Sequence, residues 1–472
     1  MKSIIKNLLY SFSTNMLVLV TSAILILVLP KILTVQDYGY WQLYLLYLTY
    51  VGFGHLGWND GIYLKWGGRD YEELNRKAFY SQFWLLFVFQ LILLVILMSL
   101  ITYFDYDQKK IFILKCVFVA MVLVNTRNML VSILQATNRI KEFALINNLD
   151  RISLLIGLVL LFIFNNTNLK IYLFIDLLSK AFSLIYAIII CKDITLLTPK
   201  NFINQFFEIF ENLSTGVKLL VANISNLLII GIIRLGIELN WNIVVFAQIS
   251  LILSISTTFL IFFNAMSIVL FPVLRKTKIT ELKDFYIYTN RIYFIVAIPI
   301  LILFLPLYNL FEFWLPEYRI ALMYFSVLFP IFLIEGRVNL LLFTYLKTLR
   351  LENKLFKINI YSVLLSILSI TLSTIIFNSL NMAVFSILVT LIFRSLLADK
   401  VIQNEFGISD KMENFKTLSI IFIFIISIQF FNKEIMVLII LLIYISYFIY
   451  KFKFIKDSIL YFYNKRSSME EY

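Results

Sequence analysis

The sequence predicts an all-α integral membrane protein with about fourteen transmembrane helices, arranged as two pseudo-symmetric six-helix lobes plus a C-terminal helix pair. Three observations carry this expectation. Apolar residues exceed what water tolerates, apolar runs of spanning length recur along the whole chain, and Lys and Arg gather on alternate connections. Soluble domains are apolar at about half of their positions and charged at about a quarter. Here 61% of the 472 residues are hydrophobic and 15% are charged, and the mean hydropathy is +0.90.

The runs lie near 8–30, 40–63, 79–103, 111–136, 143–164 and 169–191, then near 213–236, 242–273, 288–313, 319–346, 357–377, 380–399, 417–431 and 435–450. A run of about 20 residues crosses roughly 30 Å of hydrocarbon when helical. Helix is required, because an isolated strand would leave its backbone groups unpaired in lipid. The first run follows Lys2 and Lys6 but has no small-residue cleavage site, so it reads as a retained helix. The expected division is an N-lobe over 1–205 (helices 1–6), a C-lobe over 206–405 (helices 7–12), and helices 13–14 with a cytoplasmic tail over 406–472.

Fourteen crossings place every second connection on the same side. About 29 Lys and Arg fall on one set of connections, Arg394 among them, and about 8 on the other, which puts both termini in the cytoplasm by the positive-inside rule. The sparse set is Lys31, Lys109, Lys110, Lys115, Lys170, Arg234, Arg319 and Lys433. A formal charge of +13 distributed in this way is topological, and no basic arm points to a nucleic-acid partner. Cys116 and Cys191 are placed near opposite faces, which argues against a disulfide, and their spacing suits no metal. The outward loops are barely turns, so a catalytic domain, a catalytic residue set and a cofactor are not expected.

Weak internal similarity supports the two-lobe reading. An offset of 212 residues sets Asn125-Thr126-Arg127 over Arg337-Val338-Asn339, Leu130 over Leu342, Leu134 over Leu346 and Ile146-Asn147 over Ile358-Asn359. Two such lobes would enclose a cleft, which is a carrier's architecture.

Polar groups are costly at mid-membrane and mark function by default. Helix four carries Asn125, Asn128, Ser132, Gln135 and Arg139 on one face, and helix seven carries Thr215, Asn223, Asn226 and Arg234. Such stripes either glue helices together or line a wet cleft. Arg127, Lys180 and Arg337 fall at mid-depth, with Arg151 shallower. Asp176 and Lys180, four apart, share a helix face and suit an ion pair. Asp150 beside Arg151, and Glu335 near Arg337, suit local neutralisation. Arg127 has no acid on its own helix, so it is expected either to meet an anionic substrate or to pair with Asp60, Asp176 or Glu335. The candidate substrate-binding set is Arg127, Arg337, Lys180, Arg151, Asn125, Asn128, Asn223 and Asn226. A basic cleft favours phosphate or carboxylate, which the Arg fork matches. Asp60, Asp176, Glu335 and His55 are the ion-coupling candidates. The glycines around His55 (Gly52, Gly54, Gly57 and Gly61) predict close helix approach, and Pro272, Pro299, Pro306, Pro316 and Pro330 predict kinks.

Two short segments and the overall topology resemble a known family. Gln36-Asp37-Tyr38-Gly39-Tyr40-Trp41 follows helix one, and Leu134-Gln135-Ala136 with Arg139-Ile140-Lys141 ends helix four, ahead of a long linker between helices six and seven. In these features the chain resembles the polysaccharide repeat-unit flippases of the Wzx type (O-antigen translocases), within the multidrug/oligosaccharidyl-lipid/polysaccharide exporter superfamily, and so a MATE-like fold. The resemblance implies a bacterial inner-membrane carrier in lipopolysaccharide or related surface-polysaccharide biosynthesis. Its substrate would be an undecaprenyl-pyrophosphate-linked oligosaccharide, and its pathway partners a polymerase and a chain-length regulator. The competing readings are an ion-coupled multidrug antiporter, for which Asp60 is the candidate acid, a lipid II flippase, and a multipass glycosyltransferase or polymerase. The last needs a sizeable outward catalytic loop that this chain lacks.

Overall fold

The structure, a computed structural model, describes residues 2–196, 206–408 and 411–430 and scattered positions from 435 to 449. The expected final helix near 435–450 is therefore described only in part, and its described positions are helical; the tail beyond it and part of the linker after helix six lie outside the described residues. Two compact units emerge: Met1–Gly231 with Asn242–Ala247, and Ile232–Trp241 with Gln248–Tyr472. The boundary thus falls inside a long helix, whereas the sequence reading placed it in the linker at 205/206.

The first unit is built from α1 (Lys2–Leu27), α2 (Leu29–Ile32), α3 (Val35–Leu48), α4 (Trp58–Trp66), α5 (Arg76–Leu100), α6 (Gln108–Ala136), α7 (Ile140–Ile163), α8 (Leu169–Ile190), α9 (Lys192–Thr195) and most of α10 (Phe206–Asn240). Side-chain caps start several of these helices. Thr34 accepts from the Asp37 N–H at 3.1 Å, Asp107 from Lys110 at 2.7 Å and Asn168 from Lys170 at 3.0 Å, each satisfying a donor that the first turn leaves unpaired. The buried core of this unit joins Trp58, Phe79, Phe83, Leu130, Leu134 and Ile194.

Continuing along the chain are α11 (Ile243–Thr258), α12 (Leu260–Lys276), α13 (Ile279–Ala297), α14 (Phe304–Trp314), α15 (Arg319–Leu328), α16 (Ile331–Arg337), α17 (Phe343–Thr348), α18 (Glu352–Thr371), α19 (Leu380–Phe406) and α20 (Lys411–Phe430). The second unit holds all of these beyond the first turn of α11. Its core packs Leu282, Phe285, Tyr286, Val338, Tyr345 and Ile402.

Among the described residues ten helices are long and apolar enough to span a bilayer, and Pro316–Leu328 with Ile331–Thr348, bent by 45°, passes the same test only as a pair, as a broken span or a re-entrant loop. The chain is an all-α, multi-pass membrane protein. Several of the expected runs are not single helices, and three have a local cause. Run 40–63 is interrupted by a 3-10 turn at Val51–His55 and by left-handed backbone at Leu56 (φ 52°) and Gly57 (φ 91°). Run 288–313 passes through a 3-10 stretch at Ile298–Leu303, where Pro299 lacks the N–H a helix needs. Run 319–346 bends at Pro330 and then widens into a π-turn at Val338–Leu342. Hydropathy alone registers none of these breaks, because apart from His55 and Asn339 the interrupting residues are themselves apolar or small.

Gly61 shows why small residues cluster in the broken run. A Cβ there would stand 1.9 Å from the Asn212 carbonyl oxygen, so α4 and α10 pack backbone to backbone.

Candidate functional site

Each unit carries its own buried cluster of two cations and two carboxylates. In the first unit, α6 places Arg127 against α7 and α8. Its guanidinium donates to Asp150 at 2.7 Å, to the Ser183 hydroxyl at 3.3 Å and to Asn128 at 3.4 Å. Ser179 donates to the other Asp150 oxygen at 3.1 Å. One turn along α8, Lys180 pairs with Asp176 at 2.6 Å, and the Tyr44 hydroxyl of α3 donates to the same carboxylate at 2.5 Å. The arrangement is locally neutral. Arg151, half-buried on α7, adds a charge with no ion-pair partner among the described residues.

The partner of Arg127 is thus Asp150, not the Asp60, Asp176 or Glu335 expected from sequence. The pair follows from helix packing: α7 and α8 both lie against α6, and Asp150 presents its carboxylate across that seam instead of to its neighbour Arg151.

The second unit repeats the stoichiometry with different geometry. Arg337, at the end of α16, donates to Asp399 of α19 at 2.7 Å and to Asn290 of α13 at 2.9 Å. Asp399 also accepts from the Tyr286 hydroxyl and, at 2.7 Å, from Gln403. Glu335 pairs with Arg394 of α19 and not with its near neighbour Arg337. The reason is angular: residues two apart on a helix point to different sides. Arg394 also corrects the topological count, which assigned it to a loop. It lies mid-way along α19 and is 1% exposed.

The remaining predicted residues have separate places. Asn125 donates to the Val51 carbonyl and to Gln90, each at 2.9 Å, and Gln90 donates to the Gly54 carbonyl at 2.8 Å. Both side chains serve the interrupted backbone between α3 and α4, where lipid would offer no partner. His55 is buried, accepts from the Gly57 N–H at 3.1 Å and lies 3.9 Å from the half-buried Asp60 carboxylate. Asn223 is exposed and Asn226 half-buried on α10, and neither is among the partners of Arg127. No group of His, Cys, Asp and Glu among the described residues is arranged to hold a metal ion, and both cysteines are buried and free.

Sequence reasoning missed Tyr44, Ser179, Ser183, Tyr286, Asn290, Arg394 and Asp399. The available signal was Arg394 with Asp399 inside one apolar run, two opposite charges that the run could carry only if both found partners. The tyrosines gave none, since a buried phenol and an interfacial one read alike.

Comparison with known proteins defines the fold first. No family model and no curated protein matches the sequence. Among solved structures, the lipid II flippase MurJ in its inward closed conformation superposes with a TM-score of 0.67 at 14% identity, covering 96% of this chain and 100% of that one. An inward-facing multidrug resistance MATE family transporter of the MOP superfamily gives 0.57 at 13% identity, covering 87% and 99%. The chain therefore has the fold of the MOP-superfamily transporters.

Proposed function

We propose that the chain is a flippase that moves an undecaprenyl-pyrophosphate-linked oligosaccharide repeat unit from the cytoplasmic to the periplasmic leaflet by alternating access, without catalysis. The observation that supports a lipid-linked substrate is the end-to-end correspondence with a structure named as a lipid II flippase, which covers 96% of this chain and 100% of the other; the oligosaccharide repeat unit follows from the resemblance carried by residues 36–41 and 134–141. A lipid-linked substrate with a charged head and a polar glycan requires cations in a membrane interior otherwise closed to them. In this proposal Arg127, Lys180 and Arg151 meet the diphosphate. Arg127 and Lys180 keep 10% and 11% of their side chains exposed beside their carboxylates, and Arg151 carries unbalanced charge. Arg337, at 4%, is enclosed by its partners and fits a structural role better. Asn125 is committed to the Val51 carbonyl and Gln90, which leaves exposed Asn223 as the amide that in this proposal meets sugar hydroxyls. Both termini lie in the cytoplasm of a bacterial inner membrane in this reading, and a polymerase and chain-length regulator act on the exported unit.

The test is reconstitution into liposomes with a fluorescent undecaprenyl-pyrophosphate oligosaccharide, scoring leaflet exchange. Protein-dependent exchange that falls in Arg127→Ala supports the proposal; absence of exchange by folded protein rejects it. A second reading, an ion-coupled multidrug antiporter, is favoured by Asp60, whose recorded ionisable neighbour among the described residues is His55 at 3.9 Å. Export of a cationic dye against a proton or sodium gradient, lost in Asp60→Asn, would select it.

A further inference from the structure

We propose that a cleft at the starts of α6 and α8 binds a phosphate-bearing anion at the membrane surface. The cavity measures about 570 Å³, and its lining includes Asp37, Lys109, Phe112, Lys115, Asn168 and Lys170. That volume accommodates a phosphate or diphosphate group with part of its attached moiety.

Its charge is one-sided. Lys109 is balanced by Asp37 at 2.8 Å. Lys170 lies with its ammonium 5.5 Å from the Phe112 ring centroid, and neither it nor Lys115 has a carboxylate partner among the described residues. Lys115 stands seven residues after Gln108, which is two turns or about 10 Å along α6. A cation at that depth sits near the boundary of headgroups and hydrocarbon, where long side chains reach toward phosphate level. The two helices that begin here, of 29 and 22 residues, direct the positive ends of their dipoles into the same space. Their first turns are already capped by Asp107 and Asn168, so the lysines supply most of the field.

Topology makes the cluster more informative. Under the orientation proposed above, this is the face whose connections carry only about 8 of the 41 Lys and Arg residues, and three of those eight line one cavity. Cations scarce on a face and concentrated in one cleft call for a local reason, and a phosphate-bearing headgroup supplies the matching charge.

The full-length protein in nanodiscs of phosphatidylcholine with increasing phosphatidylglycerol provides the test, with retained lipid counted by native mass spectrometry and soluble pyrophosphate titrated in parallel. The wild type is expected to retain phosphatidylglycerol selectively. Lys115→Gln/Lys170→Gln is expected to weaken retention about 25-fold, a factor of about five for each lysine. Lys218→Gln, an exposed position on α10, serves as the control and leaves retention unchanged. Displacement of the lipid by pyrophosphate assigns the site to headgroup phosphate, and pyrophosphate binding without lipid preference assigns it to a free anion. Equal retention of both lipids without pyrophosphate binding, or a double variant that binds like the wild type, overturns the proposal. Sidedness is tested apart from binding: labelling of Lys115→Cys by an impermeant thiol reagent only after lysis overturns the orientation and leaves the site standing.

Discussion

The two units solve the same electrostatic problem at different depths of enclosure. Both hold two cations and two carboxylates. In the second, the paired side chains are 4% and 1% exposed for Arg337 with Asp399, and 2% and 7% for Arg394 with Glu335. In the first, Arg127 and Asp150 keep 10% and 13%, and Lys180 keeps 11%. Buried pairs contribute little net stability but are costly to break, because a lone buried charge has neither water nor partner. The contrast therefore separates a cluster enclosed by its own partners from one that keeps more of its cations exposed.

The largest expected effect comes from breaking the more enclosed cluster. Glu335→Ala leaves the Arg394 guanidinium without its carboxylate and should destabilise the protein by about 3–5 kcal/mol. Thermal unfolding in detergent reads this directly, and Glu335→Leu/Arg394→Met should recover most of the loss. If the single variant unfolds like the wild type, the enclosure argument is wrong.

Asp150→Ala in the first unit should cost less, about 1.5–3 kcal/mol, because Arg127 keeps Ser183 and Asn128 and some solvent. A double-mutant cycle with Arg127→Ala isolates the pair's coupling. Coupling as large as that between Glu335 and Arg394 would erase the difference between the clusters.

Glycine packing extends the comparison. At Gly61 an added methyl meets backbone, the Asn212 carbonyl at 1.9 Å, whereas at Gly336 it meets side-chain atoms, Phe263 at 2.5 Å and Tyr293 at 2.6 Å. Side chains can rotate away and backbone cannot. Gly61→Ala should therefore fall at the upper end of the about 1–3 kcal/mol range for overpacking and Gly336→Ala at the lower. Equal shifts in melting temperature would show that α4 and α10 can separate freely.

Most of the helical map was legible because lipid allows one local solution for the backbone, and a run of apolar residues reports it directly. The runs at 111–136 and 169–191 correspond to α6 and α8 within a few residues. The breaks were less legible. Gly57 needs φ 91°, and the turn before it depends on Asn125 and Gln90 arriving from other helices, which no local pattern encodes. The site was legible as a set of charges but not as a set of pairs. Arg127 and Asp150 are 23 residues apart, and Arg337 and Asp399 are 62 apart. Sequence identified groups that lipid could not tolerate alone, while partner choice depended on which helix faces meet.

The smallest effect on stability is expected at Arg151, and it discriminates most sharply between roles. The side chain is half-buried on α7 and has no ion-pair partner among the described residues, so Arg151→Ala breaks no pair. Its melting temperature should match the wild type, within the about 0.5 kcal/mol usual for substitutions away from packed features. It does remove the one charge that leaves the first unit's cluster net positive. If that excess positive charge attracts the substrate diphosphate, leaflet exchange should fall in Arg151→Ala while Asp150→Ala, which increases the positive charge, loses stability without the same loss of exchange per folded molecule. A transport defect that only tracks stability across the two variants would place the first cluster in the same structural role as the second.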